Sequence, residues 1–182
     1  MTRDETTAAL AAADRIYDDT QVEAALDRMA AEITAELQDS MPVVLCVLVG
    51  ALIPAGRLLP KLSFPLEVDY VHATRYRGET EGGELVWLAR PRASLKDRTV
   101  LIIDDILDEG HTLQGIIEDC YAQGAKLVRT AVLIRKLHNR CVPGLKAEYV
   151  GLTTEDRYVF GSGMDYKEML RNVPGIYAVS ES

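Results

Sequence analysis

Two adjacent carboxylates, Asp104 and Asp105, follow the unbroken apolar run Val100, Leu101, Ile102, Ile103, and after Ile106 and Leu107 the chain continues Asp108, Glu109, Gly110, His111, Thr112, Leu113. Gly110 permits a positive φ and an approach by a ligand that a Cβ would block. The amides of residues 109–113 then point outward from the start of a helix, and Thr112 adds a hydroxyl. Such a segment is suited to a phosphate monoester. Neighbouring carboxylates would be a poor choice for phosphate alone. Asp104 and Asp105 make better sense if they hold the hydroxyls of a ribose whose phosphate sits in the loop, with a divalent cation between the sugar and a pyrophosphate.

These groups need elements to hold them. Three of the four residues 100–103 are β-branched, as expected of a strand buried on both faces of a parallel sheet. The polar loop after it would lie in the crevice outside the carboxyl ends of the strands, where open α/β sheets bind ligands. Residues 113–122 read as the helix that follows, and 127–134 as the next buried strand, an alternation of βα units. Upstream, Thr20 with Glu23 reads as a capping box opening a helix whose Val22, Leu26, Met29, Ile33 and Leu37 recur every three or four positions. Pro42 introduces a second apolar strand, 43–49, which Gly50 ends, and Pro54 starts a helix through Leu58 and Leu59. A strand over 67–74 leads into residues 75–84, polar and with three glycines, then to a strand over 85–90. That polar stretch reads as a hairpin connection, as a mobile loop, or as both. Residues 1–19 are alanine-rich and acidic and contain at most a short helix.

Composition bounds the rest. A chain of 182 residues with 48% hydrophobic and 26% charged content can bury a proper core. Its net charge of -8 argues against nucleic acid as the main partner, because phosphate backbones need clustered Lys and Arg. Cys46, Cys120 and Cys141 are widely spaced, without metal-site spacing, and are expected to be inert thiols. No charged segment precedes an apolar leader, and no apolar run reaches membrane-spanning length, so no membrane partner and a cytoplasmic location are expected.

Two acidic residues after an apolar strand, two apolar residues, then Asp, one residue, Gly, one residue and Thr resembles the phosphoribosyl diphosphate signature of the type I phosphoribosyltransferases. The resemblance continues in correct order from residue 43 onward. It implies an α/β fold, a parallel twisted sheet flanked by helices, with a small hood formed by the terminal segments. The whole of 1–182 would be one phosphoribosyltransferase domain, its core about 40–155 and its hood about 1–20 and 156–182. Phosphate would be bound by Asp108, Glu109, Gly110, His111, Thr112 and Leu113, and ribose by Asp104 and Asp105. Where the family commonly has Leu-Lys-Gly-Gly, this chain has Leu48, Val49, Gly50, Ala51. Only backbone contacts of Val49 and Gly50 to pyrophosphate carry over, and a plain strand-to-helix turn would read the same way. Arg75 and Tyr76 stand where the family has the Ser-Tyr of a lid that closes over the site.

Further along, Lys136 lies just beyond the strand 127–134, in a basic group with Arg135, His138 and Arg140. Such a group is usually a solvated turn. The resemblance instead makes Lys136 the donor to the 6-oxo group of a purine, which favours hypoxanthine and guanine over adenine. Residues 155–171 resemble the purine-binding hood of hypoxanthine-guanine phosphoribosyltransferases. On that likeness Tyr158 stacks on the base, where the plain alternative is core packing, and Val159 contacts its edge. Asp165 serves the base and, with Asp104 and Asp105, an Mg²⁺ ion, while Arg171 meets pyrophosphate. Ser162 replaces the family's Tyr and Glu155 its Pro.

The implied reaction is transfer of 5-phosphoribosyl from its diphosphate to N9 of a 6-oxopurine, with Asp108 near N7 as general base or charge partner. The family's usual dimers or tetramers make a homo-oligomer the expectation. Competing readings are an enzyme of this fold preferring xanthine or adenine, a ligand-sensing RNA-binding regulator, and an interaction protein with a decayed site. Net acidity opposes the regulator. Retention of Asp104, Asp105, Asp108, Thr112, Lys136 and Asp165 together opposes decay.

Overall fold

In the computed structural model residues 1–75 and 85–180 are described. The helices are α1 (Arg3–Ala12), α2 (Asp19–Leu37), α3 (Leu52–Leu58) and α4 (His111–Ala122). The strands are β1 (Asp14–Tyr17), β2 (Val43–Val47), β3 (Glu67–Arg75), β4 (Leu85–Ala89), β5 (Thr99–Leu107), β6 (Leu127–Leu137), β7 (Tyr149–Glu155), β8 (Val159–Phe160) and β9 (Ile176–Ala178).

Six strands form one twisted sheet in the order β4-β3-β2-β5-β6-β7, parallel except at the β3/β4 edge, where the pairing is antiparallel. β5 is central, with Val100 beside Val43 on one flank and Ile106 beside Ile134 on the other. Every residue of β2 is buried, as are Thr99–Ile103 of β5, because helices cover both faces. Val22, Leu26, Met29, Ile33 and Leu37 of α2 are all buried, as their spacing predicts. The cap differs from expectation. Asp18, with Gln21 rather than Thr20 with Glu23, makes the capping box. Glu23 is held instead by Arg57 and Lys61, which tie α2 to the end of α3.

A second, three-stranded sheet, β1-β9-β8, draws together the two ends of the chain as the hood. Phe160 and Tyr177 stack in it with centroids 5.7 Å apart, and the Tyr17 hydroxyl donates to the Thr153 carbonyl at 2.6 Å, fastening it to β7. Burial pushes the Cys46 thiol up to about 11 and the Cys120 thiol up to about 12, so both are inert near neutral pH. Among the described residues no helix is long and apolar enough to cross a membrane.

Candidate active site

The chemistry-bearing residues meet at the carboxyl ends of β5 and β6. β5 runs four residues further than its apolar stretch, so Asp104 and Asp105 lie inside the strand rather than beyond it. β6 stays paired with β5 as far as Leu107, which lets polar side chains continue the strand after the pairing with β2 has ended at Ile103. Likewise β6 reaches Leu137, and Lys136 sits within it rather than just past it. α4 opens at His111, two residues before the expected Leu113, with Gly110 as its N-cap at φ +83°. Gly110 brings no side chain to this terminus, so the first-turn amides of Thr112 and Leu113 are not capped by it.

The phosphate-binding candidate is held from behind by the connection between β6 and β7. The Val142 amide donates to the Glu109 carbonyl at 2.8 Å, and a Cβ on Gly110 would lie 2.3 Å from Leu145 Cδ2. Gly110→Ala therefore combines a left-handed backbone with a side-chain clash. It should lower stability by about 1–3 kcal/mol in urea unfolding, and weaken binding of a nucleoside monophosphate.

Asp108 follows the end of β5 and lies partly buried between Lys136 and His138. Lys136 Nζ donates to Oδ2 at 2.6 Å and His138 Nε2 meets Oδ1 at 2.7 Å. Burial opposes ionisation, but these two partners outweigh it and hold the Asp108 carboxyl below the usual carboxylate range. Arg140 pairs with both oxygens of Asp156, at 2.6 and 3.0 Å, and Lys136 lies 3.9 Å from Asp156. Asp108, His138 and Asp156 could each turn one ligand atom to a common point. Lys136 and Arg140 already neutralise these carboxylates, so the trio does not make a cation site.

The second cluster joins β5 to the hood. A Cβ on Gly50 would lie 2.1 Å from Asp105 Oδ2, so Asp105 occupies its place only because residue 50 is glycine. A Cβ on Gly163 would lie 2.3 Å from the Gly50 carbonyl oxygen, which puts the hood against the same turn. Arg171 bridges the parts. It donates to the Gly163 carbonyl and to Asp165 Oδ1, both at 2.7 Å, and lies 3.8 Å from Asp105. Val49 is exposed at the lip of the turn, after a cis peptide bond with Leu48.

Burial, then the charge of Asp105, pushes Asp104 well above the usual carboxylate range. Burial raises Asp105 too, although Asp104 and Arg171 act against it. Two sunken carboxylates with one guanidinium nearby are short of positive charge, and all-oxygen donors fit a hard divalent cation. A carboxyl raised by folding contributes stability below its unfolded pKa, which is lost as pH rises through the folded value. In chelator, Asp104→Asn should therefore melt above the wild type at pH 8, with the gap closing towards pH 4; calorimetry reads both.

In the hood, Tyr158 is 51% exposed and stands edge-on to Tyr166 at 5.8 Å, so it is not a core residue. Val159 is buried in β8, paired with Ala178. Ser162 is buried and donates to the Gly175 carbonyl at 3.0 Å, a structural role within the hood. Arg75 ends β3, while Tyr76 lies outside the described residues. His111 lies 3.9 Å from Glu109 at the mouth of the loop.

Sequence reasoning missed His138, Arg140 and Asp156, reading the two basic residues as part of a solvated turn. One signal was available. His138 stands two positions after Lys136 at a strand end, and a period of two puts both on one face.

A mostly parallel sheet flanked by helices is the fold, and sequence comparison gives the family. The family described as phosphoribosyl transferase domain matches residues 12–168, and the chain belongs to it. It is 32% identical over 162 residues to a hypoxanthine-guanine phosphoribosyltransferase of Bacillus subtilis, covering 88% of this chain and 89% of that one. It is 29% identical over 167 residues to a hypoxanthine-guanine-xanthine phosphoribosyltransferase of Tritrichomonas foetus, covering 92% and 91%. Among solved structures, a hypoxanthine phosphoribosyltransferase from Staphylococcus aureus superposes with a TM-score of 0.86 at 28% identity, covering 92% of this chain and 91% of that one.

Proposed function

We propose that this chain transfers 5-phosphoribosyl from 5-phosphoribosyl 1-diphosphate to N9 of hypoxanthine or guanine, giving IMP or GMP and pyrophosphate in purine salvage. The observation that carries this reading is the Lys136–Asp108 pair at 2.6 Å beside the glycine-capped start of α4. A 6-oxopurine offers an acceptor at O6, which suits the ammonium, and a ring N–H, which suits the carboxylate. Adenine offers an amino donor where Lys136 also donates.

The amides of residues 109–113 and the Thr112 hydroxyl hold the 5-phosphate, while Asp104 and Asp105 take the ribose hydroxyls. Val49 and Gly50 offer backbone groups to pyrophosphate, and Arg171 adds charge. Tyr158 supplies an exposed ring face for stacking, with Val159 and Asp165 along the edge of the base. As the C1′–O bond breaks, its electron pair leaves with pyrophosphate, the N9–C1′ bond forms, and Asp108 receives or balances the purine proton. Mg²⁺, when bound, supplies charge neutralisation for the leaving group, and Asp104, Asp105 and Asp165 are the residues that would hold it. Asp165 Oδ1 is engaged by Arg171 and Oδ2 by the Glu168 amide, so its service to a cation needs Arg171 to turn toward pyrophosphate. A homo-oligomer, dimer or tetramer, is part of the same reading, supported by the exposed Val68, Tyr70 and Leu88 on β3 and β4.

The test is product formation from hypoxanthine, guanine, xanthine and adenine with phosphoribosyl diphosphate, Mg²⁺ present or withheld. IMP and GMP formation dependent on Mg²⁺ is expected. AMP as the main product would overturn the assignment of Lys136, and no nucleotide from any base would overturn the reaction.

A further inference from the structure

Both oxygens of Asp108 are occupied, one by Lys136 and the other by His138. The two partners differ in what they can do when substrate arrives. Lys136 carries a flexible stem, and on the function proposed above its ammonium turns to the purine O6. His138 cannot follow. Its side chain is only 4% exposed, and its other ring nitrogen is fixed, because the Arg140 amide donates to Nδ1 at 3.1 Å. An N–H donor facing Nδ1 requires a lone pair there, which leaves the proton of the neutral ring on Nε2, aimed at Asp108 Oδ1.

We infer that His138 is the positioning residue of this site: its Nε2–H holds Asp108 Oδ1 so that Oδ2, vacated by Lys136, meets the ring proton of the purine. The backbone fixes the ring, the ring fixes the carboxylate, and the carboxylate meets the base. Three observations support this order. The Arg140 amide belongs to the connection that also braces the phosphate loop, since Val142 donates to Glu109 two residues later. Arg140 itself is anchored by both oxygens of Asp156, so the amide that sets the tautomer stands on a tethered residue. Without His138, a carboxylate released by Lys136 would keep, among the described residues, only the Arg140 cation nearby, 4.0 Å away on a half-exposed side chain. An effect on orientation of this kind acts on the bond-making step, because a small misplacement of a catalytic group lowers turnover before it lowers binding.

Two substitutions separate this role from a structural one. His138→Gln can place an amide N–H where Nε2 was and keep the bond to Asp108. His138→Asn reaches only as far as Nδ1, so it can keep the acceptor for the Arg140 amide but not the donor to Asp108. With guanine and phosphoribosyl diphosphate, His138→Asn should lose roughly tenfold or more in kcat, part of the 10²–10⁴ typical of a positioned proton-transfer group, with KM for phosphoribosyl diphosphate within about twofold. His138→Gln should return most of that kcat. Nitrogen NMR of the wild-type ring should show Nε2 protonated and Nδ1 bare, with and without product nucleotide. Equal losses in both variants, a loss confined to KM, or Nδ1 protonated would overturn the inference. A wild type inactive on every purine would instead overturn the proposed function, which the ring tautomer does not depend on. An active wild type with an equally active His138→Asn would overturn the role of His138 alone.

Discussion

Asp108→Asn is expected to lower kcat by about 10²- to 10⁴-fold, the range for removing a positioned general base, while the chain stays folded and KM for phosphoribosyl diphosphate moves little. The carboxylate touches Lys136 and His138 and not the phosphate loop's backbone, so the substitution reaches the base and leaves the sugar-phosphate grip in place. Stability should also change, in a defined direction. Asp108 is lowered on folding, so its ionisation contributes stability that is complete above the unfolded carboxylate pKa and is lost as pH falls through the folded value. The asparagine variant should therefore melt below wild type at neutral pH, with the difference narrowing in acid. Steady-state kinetics and a pH series of thermal melts read the two effects separately. Wild-type turnover in a folded Asp108→Asn protein would remove the assignment.

Lys136→Met should have the next largest effect, and a more selective one. A hydrogen bond to a charged group contributes about 1.5–3 kcal/mol, so kcat/KM for hypoxanthine and guanine should fall roughly 10- to 150-fold. Discrimination against adenine should weaken, because a thioether has no donor to set against an amino group. The Lys136 side chain is only 12% exposed and also lies 3.9 Å from Asp156, so its removal leaves two carboxylates less well matched. A drop in melting temperature should accompany the kinetic loss. Comparing kcat/KM for the four purines in both proteins isolates the specificity component. Parallel losses on every base would mean that Lys136 serves Asp108 alone.

What could be read in the sequence was what periodicity and residue type decide. The all-apolar runs of β2 and β5 announced strands buried on both faces, and the spacing from Val22 to Leu37 announced the buried face of α2. The glycine before α4 announced a left-handed turn, and φ at Gly110 is +83°. Boundaries were less legible, because a strand does not stop where its side chains become polar if its neighbours continue the ladder. That is why Asp105 is buried within β5 and Lys136 lies inside β6. Least legible were contacts made across the chain. The period of two puts His138 on the face of Lys136, but which carboxylates the two basic residues meet, Asp108 for His138 and Asp156 for Arg140, is settled only when the ends of β5, β6 and β7 come together. The Asp18 cap shows the same limit at short range: Asp18–Gln21 and Thr20–Glu23 carry equivalent patterns, and the demand of Arg57 and Lys61 for Glu23 decides between them.

A sugar-phosphate held between the start of α4 and the end of β5 is the centre of the proposed reaction. A crystal structure of the protein with GMP and Mg²⁺ tests this most directly. The phosphate oxygens should accept hydrogen bonds from the amides of residues 109–113 and from the Thr112 hydroxyl, with the ribose against Asp104 and Asp105 and O6 of the base facing Lys136. Nucleotide bound elsewhere on the chain, or bound with its phosphate away from Gly110, would contradict it.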